Sequence, residues 1–183
     1  MISDFVKGKK QYEYPDDIQK GIRLHRLIDN FTDSHEAVHE AKEFFRPSYR
    51  LYSGAIVDVV FDHFLACDET EFSDPMLLEF TNMVYSVLEQ QQEWFPERFR
   101  NMFPHMKAHN WLFDYRTNEG TLRSLSGLVN RSRYLTEANT AYRIFEDHYQ
   151  TLKDCYRNFW SYMKPFARNR FDEFMEEGLQ GFL

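Results

Sequence analysis

The sequence predicts an all-α protein, and three observations support this prediction. The chain of 183 residues has only 7 glycines and 6 prolines, too few for an architecture of short strands that needs a turn about every 8–12 residues. Hydrophobic residues make up 43% and charged residues 28%, which suits helices with one buried face and one exposed face. Apolar residues recur at spacings of three and four, the period of an amphipathic helix. We expect a single compact helical domain over residues 1–183.

Helix-start signals divide the first half of the chain. Pro15 precedes two aspartates, which favour the positive N-terminal end of a helix. Asp33 and Glu36 have the spacing of a capping box, and Pro47 is expected to separate the second helix from the third. Asp74 opens a fourth helix after an acidic loop. The helices predicted here are 16–30, 33–45, 49–66 and 74–94.

The second half is predicted to be helical as well. One or two short helices are expected over 97–116, a turn at 118–120 and a helix over 121–132. A long last helix is predicted over 136–162, with Pro165 marking a kink or a break. Cys67 and Cys155 have no CxxC partner, which excludes a disulfide framework and a zinc ribbon and favours two reduced thiols.

Composition narrows the classes of function. The net charge of −7 disfavours non-specific binding to nucleic acid. The mean hydropathy is −0.64 and no apolar run approaches the ~18 residues of a membrane span, so we expect no membrane partner. The first ten residues, MISDFVKGKK, lack signal-peptide organisation, which predicts a cytoplasmic protein. GxGxxG, P-loop and GxSxG motifs are all absent from the sequence.

Two of the predicted helices each bring an imidazole and carboxylates together. His25 and Asp29 are four residues apart on the first helix and therefore share a face, with Asp33 one turn further along. Asp58 and Asp62 have the same spacing on the third helix. Carboxylate oxygens and neutral imidazoles are ligands for Mn²⁺, Fe²⁺, Mg²⁺ and Zn²⁺.

The third helix is the most apolar segment of the chain, which makes its charged residues informative. An ionised carboxylate buried there costs several kcal/mol unless a cation or hydrogen-bond donors compensate it. Asp58, Asp62 and the adjacent His63 therefore predict either a divalent metal centre or a salt-bridge cluster that uses Arg23 or Arg26.

Five segments resemble the acyl-carrier-protein phosphodiesterase family: SDFVKG at 3–8, GIRLHRLIDNFTD at 21–33, DVVFDHFLA at 58–66, NWL at 110–112 and RSR at 131–133. The resemblance implies an all-helical fold related to HD-type metal-dependent phosphohydrolases. It also implies hydrolysis of the phosphodiester that joins 4′-phosphopantetheine to a serine of holo-acyl carrier protein. The implied cofactor is a divalent cation, typically Mn²⁺, with Mg²⁺ or Fe²⁺ as alternatives.

The resemblance implies roles for particular residues. The implied metal ligands are Asp4, His25, Asp58, Asp62 and His63, and all of these except Asp58 are also implied to be catalytic. Two further aspartates, Asp29 and Asp33, are expected to orient the ligands. Phosphate or partner contacts are expected from Lys7, Arg26, Asn110, Trp111, Arg131 and Arg133, although exposed cations with no such role are the alternative for the basic residues.

Family members usually carry a further segment before the SDF-like motif, with a histidine of its own. Here Met1 directly precedes ISDF, so that histidine is not among the candidate ligands of this sequence. Two other functions stay open from the residues alone. One is an HD-like phosphohydrolase acting on another phosphodiester, such as a nucleotide. The other is a non-catalytic helical module that binds a protein partner.

Overall fold

The structure, a computed structural model, describes residues 2–131 and 137–180. The described part of the chain contains α-helices, short 3-10 helices and no strand, which confirms the predicted all-α class. The 3-10 helices are Ile2–Phe5, Gly8–Glu13, Arg50–Tyr52 and Gln92–Trp94. The α-helices are α1 (Asp16–Ser34), α2 (Glu36–Tyr49), α3 (Ser53–Ala66), α4 (Asp74–Gln90), α5 (Glu97–Ala108), α6 (Trp111–Asp114), α7 (Asn118–Arg131), α8 (Asn139–Asp147) and α9 (Tyr149–Gln180).

The larger of two hydrophobic clusters lies where α2, α3 and α9 pack together, with α1, α7 and α8 around them. Its members include Val57 and Phe64 from α3 and Phe45 from α2, and all three side chains are fully buried. Phe145 of α8 packs against Phe64 with ring centroids 6.0 Å apart. Because α3 is enclosed on most sides, only a narrow strip of it remains for charged residues, and Asp58 and Asp62 lie on that strip.

The smaller cluster joins α4 and α5 to the N-terminal 3-10 helix. Phe99 and Phe103 of α5 pack with Phe95, which precedes the helix, and the Phe95 and Phe99 rings meet edge-to-face with centroids 4.6 Å apart. Phe5 lies 5.9 Å from the ring of Phe99. This aromatic contact fixes the segment that carries Asp4 beside α1.

Arg26 of α1 fastens the same N-terminal segment. Its guanidinium donates one hydrogen bond to the carbonyl oxygen of Val6 at 3.1 Å and another to the side-chain oxygen of Gln11. Both hydrogen bonds are made within the protein, so the Arg26 side chain holds the residues before α1 against this helix.

The junction of α1 and α2 differs from the prediction. The first helix continues to Ser34, which places Asp33 inside α1 and not at a cap. His35 is the N-cap of α2 instead, and its Nδ1 accepts a hydrogen bond from the backbone of Ala37 at 3.2 Å. The prediction that Pro47 separates the second helix from the third was also wrong. Pro47 lies in the last turn of α2, where its ring is exposed.

Three later expectations are corrected as well. Residues 118–120 are the first turn of α7 and do not form a separate turn. The predicted last helix is divided at His148 into α8 and α9, and α9 continues through Pro165 without ending. Both cysteines are free thiols, as expected. None of the described helices is long and apolar enough to cross a membrane.

Candidate active site

Acidic side chains from the N-terminal 3-10 helix, α1 and α3 meet in one place, which we call the acidic cluster. Contacts of α1 with the 3-10 helix and of α2 with both α1 and α3 bring these segments together. The cluster combines candidates that are up to 58 residues apart in the chain. Its members are Asp4, His25, Asp29, Asp33, Asp58 and Asp62.

His25 is held between two carboxylates. Its Nδ1 lies 2.9 Å from Oδ2 of Asp29, one turn further along α1, and its Nε2 lies 3.6 Å from Oδ1 of Asp4. A carboxylate only accepts hydrogen bonds, so the bond to Asp29 places a proton on Nδ1. In the neutral tautomer, Nε2 then carries the lone pair and faces Asp4.

Lys42 of α2 supplies a positive charge to the cluster. Its Nζ lies 2.8 Å from Oδ1 of Asp33, and the lysine side chain is only 14% exposed. The same ammonium group acts electrostatically on Asp58, where it lowers the carboxyl pKa. Lys42 therefore partly compensates two of the carboxylates.

Asp58 keeps a proton more readily than an ordinary aspartate. Its carboxyl group is reached by solvent, yet the protein around it removes much of its hydration, and this desolvation raises the pKa to about 6. The negative charges of Asp33, Asp29 and Asp4 raise the pKa further, against the opposing effect of Lys42.

Asp62 is shifted in the same direction. Desolvation, followed by the charge of Asp58, raises its carboxyl pKa to about 7, although the side chain is also accessible to solvent. A hydrogen bond from the Tyr115 hydroxyl opposes the shift. Tyr115 follows α6, and no spacing in the sequence connects it with the third helix, so sequence reasoning did not identify it.

The structure does not bring His63 to the acidic cluster. This side chain is 2% exposed and faces the core. Its Nδ1 lies 2.8 Å from the carbonyl oxygen of Tyr115, its Nε2 lies 3.1 Å from the hydroxyl of Tyr149, and Thr121 also contacts Nδ1. Burial lowers the pKa of the imidazole. With both ring nitrogens engaged, His63 lies in the core here, away from the acidic cluster that its motif implied it would join.

The donor set of the acidic cluster fits a hard divalent cation in its chemistry. Five carboxylates and one imidazole face a single lysine, and oxygen donors with imidazole suit Mn²⁺ and Mg²⁺. No three of these donors converge on one point within residues 2–131 and 137–180. In this arrangement His25 pairs with two aspartates and Lys42 with a third.

A basic recess of about 730 Å³ adjoins the cluster between α2 and α3. Asp33 and Asp58 line it together with three cations, Lys42, Arg46 and Arg50. The Arg50 guanidinium forms no ion pair or hydrogen bond with any described residue. Its backbone has φ 47°, in the left-handed region that side chains other than glycine seldom adopt. No motif in the sequence singles out these arginines, which are marked there only by their charge.

Of the other predicted phosphate or partner residues, Lys7, Asn110 and Trp111 do not line this recess. Lys7 is exposed and follows the SDF motif. Asn110, with φ 42°, caps α6 by accepting a hydrogen bond from the Phe113 backbone at 3.4 Å. Trp111 packs on the smaller hydrophobic cluster. Arg131 ends α7, and Arg133 lies outside the described residues.

Comparison with known proteins identifies the family. The family model described as acyl carrier protein phosphodiesterase matches residues 1–163. Proteins of that name from Enterobacter sp. (strain 638) and Klebsiella pneumoniae (strain MGH 78578) are 33% and 32% identical over 171 residues, which is 93% of this chain and 89% of each relative. The protein of that name from Photorhabdus laumondii is 29% identical over the same length, 86% of that relative. No solved structure matches. The chain belongs to the acyl carrier protein phosphodiesterase family.

Proposed function

We propose that this protein is a metal-dependent phosphodiesterase that hydrolyses holo-acyl carrier protein to apo-acyl carrier protein and 4′-phosphopantetheine. The observation that supports the proposal most strongly is the acidic cluster, in which Asp58 and Asp62 have raised pKa values beside three further carboxylates. Several like charges held together favour a bound cation, and metal-assisted hydrolysis of a phosphodiester uses one.

Asp4, His25, Asp58 and Asp62 would hold the divalent cation, for which we propose Mn²⁺. When bound, the cation supplies charge neutralisation at the phosphoryl oxygens and a lower pKa for water. Asp29 keeps His25 in position through the 2.9 Å contact to Nδ1. Lys42 holds Asp33 in the same way, and both contacts limit the conformations of the donors.

A side chain of the acidic cluster transfers the protons of the reaction. Water attacks phosphorus, the bond from phosphorus to the serine oxygen breaks, and a proton must reach that oxygen. Asp62 has a pKa of about 7 and therefore exists in both protonation states near neutral pH. We assign to Asp62, through the carboxylate oxygen that does not hold the cation, the removal of a proton from water and its delivery to the leaving serine.

The basic recess beside the cluster fits an anionic substrate. Arg46 and Arg50 provide guanidinium groups, which bind phosphate oxygens and carboxylates in a bidentate manner. This local positive surface lets a protein of net charge −7 approach an acidic carrier protein. The free state of Cys67 and Cys155 fits a reducing compartment, and we place the reaction in the cytoplasm.

The experiment is incubation of the purified protein with holo-acyl carrier protein and Mn²⁺, followed by mass spectrometry of the carrier. We expect loss of the phosphopantetheine mass, abolition by a chelator and a loss of about 10³-fold or more in Asp62→Ala. Asp147→Ala, an exposed aspartate at the end of α8, is the matched control. Cyclic nucleotides and other phosphodiesters are assayed in parallel, and turnover of these alone would overturn the proposed substrate.

A further inference from the structure

A second cleft, of about 300 Å³, shares His25 with the acidic cluster. Its volume is at the lower end of small-molecule sites. Apolar side chains from the N-terminal 3-10 helix, from α1 and from the end of α4 and the residues after it form most of its walls. These are Ile2, Ile18, Ile22, Leu88 and Trp94.

Two polar groups interrupt this apolar lining. The hydroxyl of Ser3 is buried and has no hydrogen-bond partner among the described residues. Gln91, just after α4, adds a side-chain amide at the edge of the cleft. A buried hydroxyl without a partner is unfavourable, and a ligand that carries amide groups would satisfy it.

Gly21 provides an independent observation. It lies in the interior of α1, lines the cleft and has no positive φ that would require glycine. A Cβ atom built at this position meets no atom within 4 Å. Glycine in the interior of a helix destabilises the helix relative to alanine. Neither backbone conformation nor packing accounts for Gly21, but the absence of a side chain keeps the cleft open beside His25.

We propose that this cleft binds the pantetheine arm of the substrate while the phosphodiester lies at the acidic cluster. The inference rests on the proposed function and names the site that recognises the pantetheine part of the substrate. The arm carries a dimethyl-substituted carbon and two amide groups. The methyl groups match the isoleucines and Trp94, and the amides match Ser3 and Gln91. Because His25 belongs to both sites, an arm in the cleft places its phosphate end at the cluster.

The test measures binding of pantetheine, which has no phosphate, to the metal-free protein by isothermal titration calorimetry. Gly21→Leu fills the cleft and is expected to weaken binding more than tenfold, with Gly21→Ala in between. Gly127→Leu is the matched control, because Gly127 is also a helical glycine, on α7, whose Cβ would meet no atom within 4 Å. It should bind as the parent protein does. Gly21→Met is a second cleft-filling variant, and circular dichroism verifies that each variant is folded.

Two results would overturn the inference: no binding of pantetheine by the parent protein, or equal binding by Gly21→Leu, Gly21→Met and Gly127→Leu. These results are separate from the fate of the proposed function, since the titration involves neither metal nor turnover. If pantetheine binds in the cleft but holo-acyl carrier protein is not hydrolysed, the proposed reaction fails and the binding site stands.

Discussion

Nδ1 of His63 lies 2.8 Å from the carbonyl oxygen of Tyr115, and the hydroxyl of the same tyrosine donates to Asp62. Adjacent residues on an α-helix point in directions about 100° apart. His63 therefore enters the core, whereas Asp62 stays on the solvent-accessible strip of α3. Tyr115 links a buried residue with a residue of the acidic cluster.

The first prediction concerns the role of His63. Replacement by alanine leaves the Tyr115 carbonyl and the Tyr149 hydroxyl without their partner in a buried position. We expect His63→Ala to lower the free energy of unfolding by about 2–4 kcal/mol. Urea denaturation measures this change. Unchanged stability combined with loss of bound metal would instead make His63 a ligand, as its motif implied.

The second prediction is a pH dependence of the metal-free protein. The pKa of Asp62 is about 7 in the folded state and near its ordinary value of 3.8 in the unfolded chain. Between these values the folded state holds a proton that the unfolded state has released, so this group reduces stability as pH rises from about 4 to 7. Asp62→Asn cannot ionise and removes the effect.

We therefore expect the Tm of Asp62→Asn to exceed that of the parent protein, by a margin that grows from pH 5 to pH 8. Thermal denaturation across this range, with a chelator present, gives the comparison. A margin that stays constant or shrinks as pH rises would show that the folded protein does not raise the pKa of Asp62.

The third prediction concerns Asp29. Its carboxylate accepts a hydrogen bond from His25, so Asp29→Asn weakens the hold on the imidazole without changing the size of the side chain. We expect kcat for holo-acyl carrier protein to fall about 10–100-fold, with partial recovery in Asp29→Glu. Asp17→Asn is the control, since Asp17 is an exposed aspartate on the same helix. Equal kcat values for Asp29→Asn and Asp17→Asn would contradict this assignment.

The fourth prediction concerns the basic recess. The double variant Arg46→Gln and Arg50→Gln is expected to raise KM for holo-acyl carrier protein about tenfold or more, because two charge-assisted contacts are lost. The parent protein should also lose affinity as salt increases, more steeply than the double variant. Steady-state kinetics at several salt concentrations measures both. Arg98→Gln, on α5 and away from this recess, is the control and should have the KM of the parent protein. A rise in KM of equal size in Arg98→Gln would show that the recess does not bind the substrate.

Much of the fold follows from local sequence. Helical periodicity and low glycine and proline content predicted the all-α class, and the His25–Asp29 contact followed from a spacing of four on one helix. Capping at the α1–α2 junction was not predictable in this way. Asp33 is a stronger N-cap residue than His35 in general, but its ion pair with Lys42 and the continuation of α1 outweigh that preference.

The site was predictable only in part, because its partners are brought together by tertiary structure. The spacing of Asp58 and Asp62 identified the strip of α3 that faces away from the core. Nothing in the spacing placed Lys42, Arg50 or Tyr115 beside that strip, since these residues come from other elements. The core position of His63 was not predictable from its place beside Asp62, because adjacency in sequence does not mean a shared helix face.

We propose above all that the acidic cluster around Asp58 holds the divalent cation of a phosphodiesterase. The most direct test of this proposal is titration of the protein with Mn²⁺ followed by electron paramagnetic resonance, comparing the parent protein with Asp58→Asn and with Asp147→Asn as the control. We predict saturable binding by the parent and by Asp147→Asn, and a loss of affinity of at least tenfold in Asp58→Asn. Equal Mn²⁺ binding by all three proteins, or none by the parent, would contradict the claim.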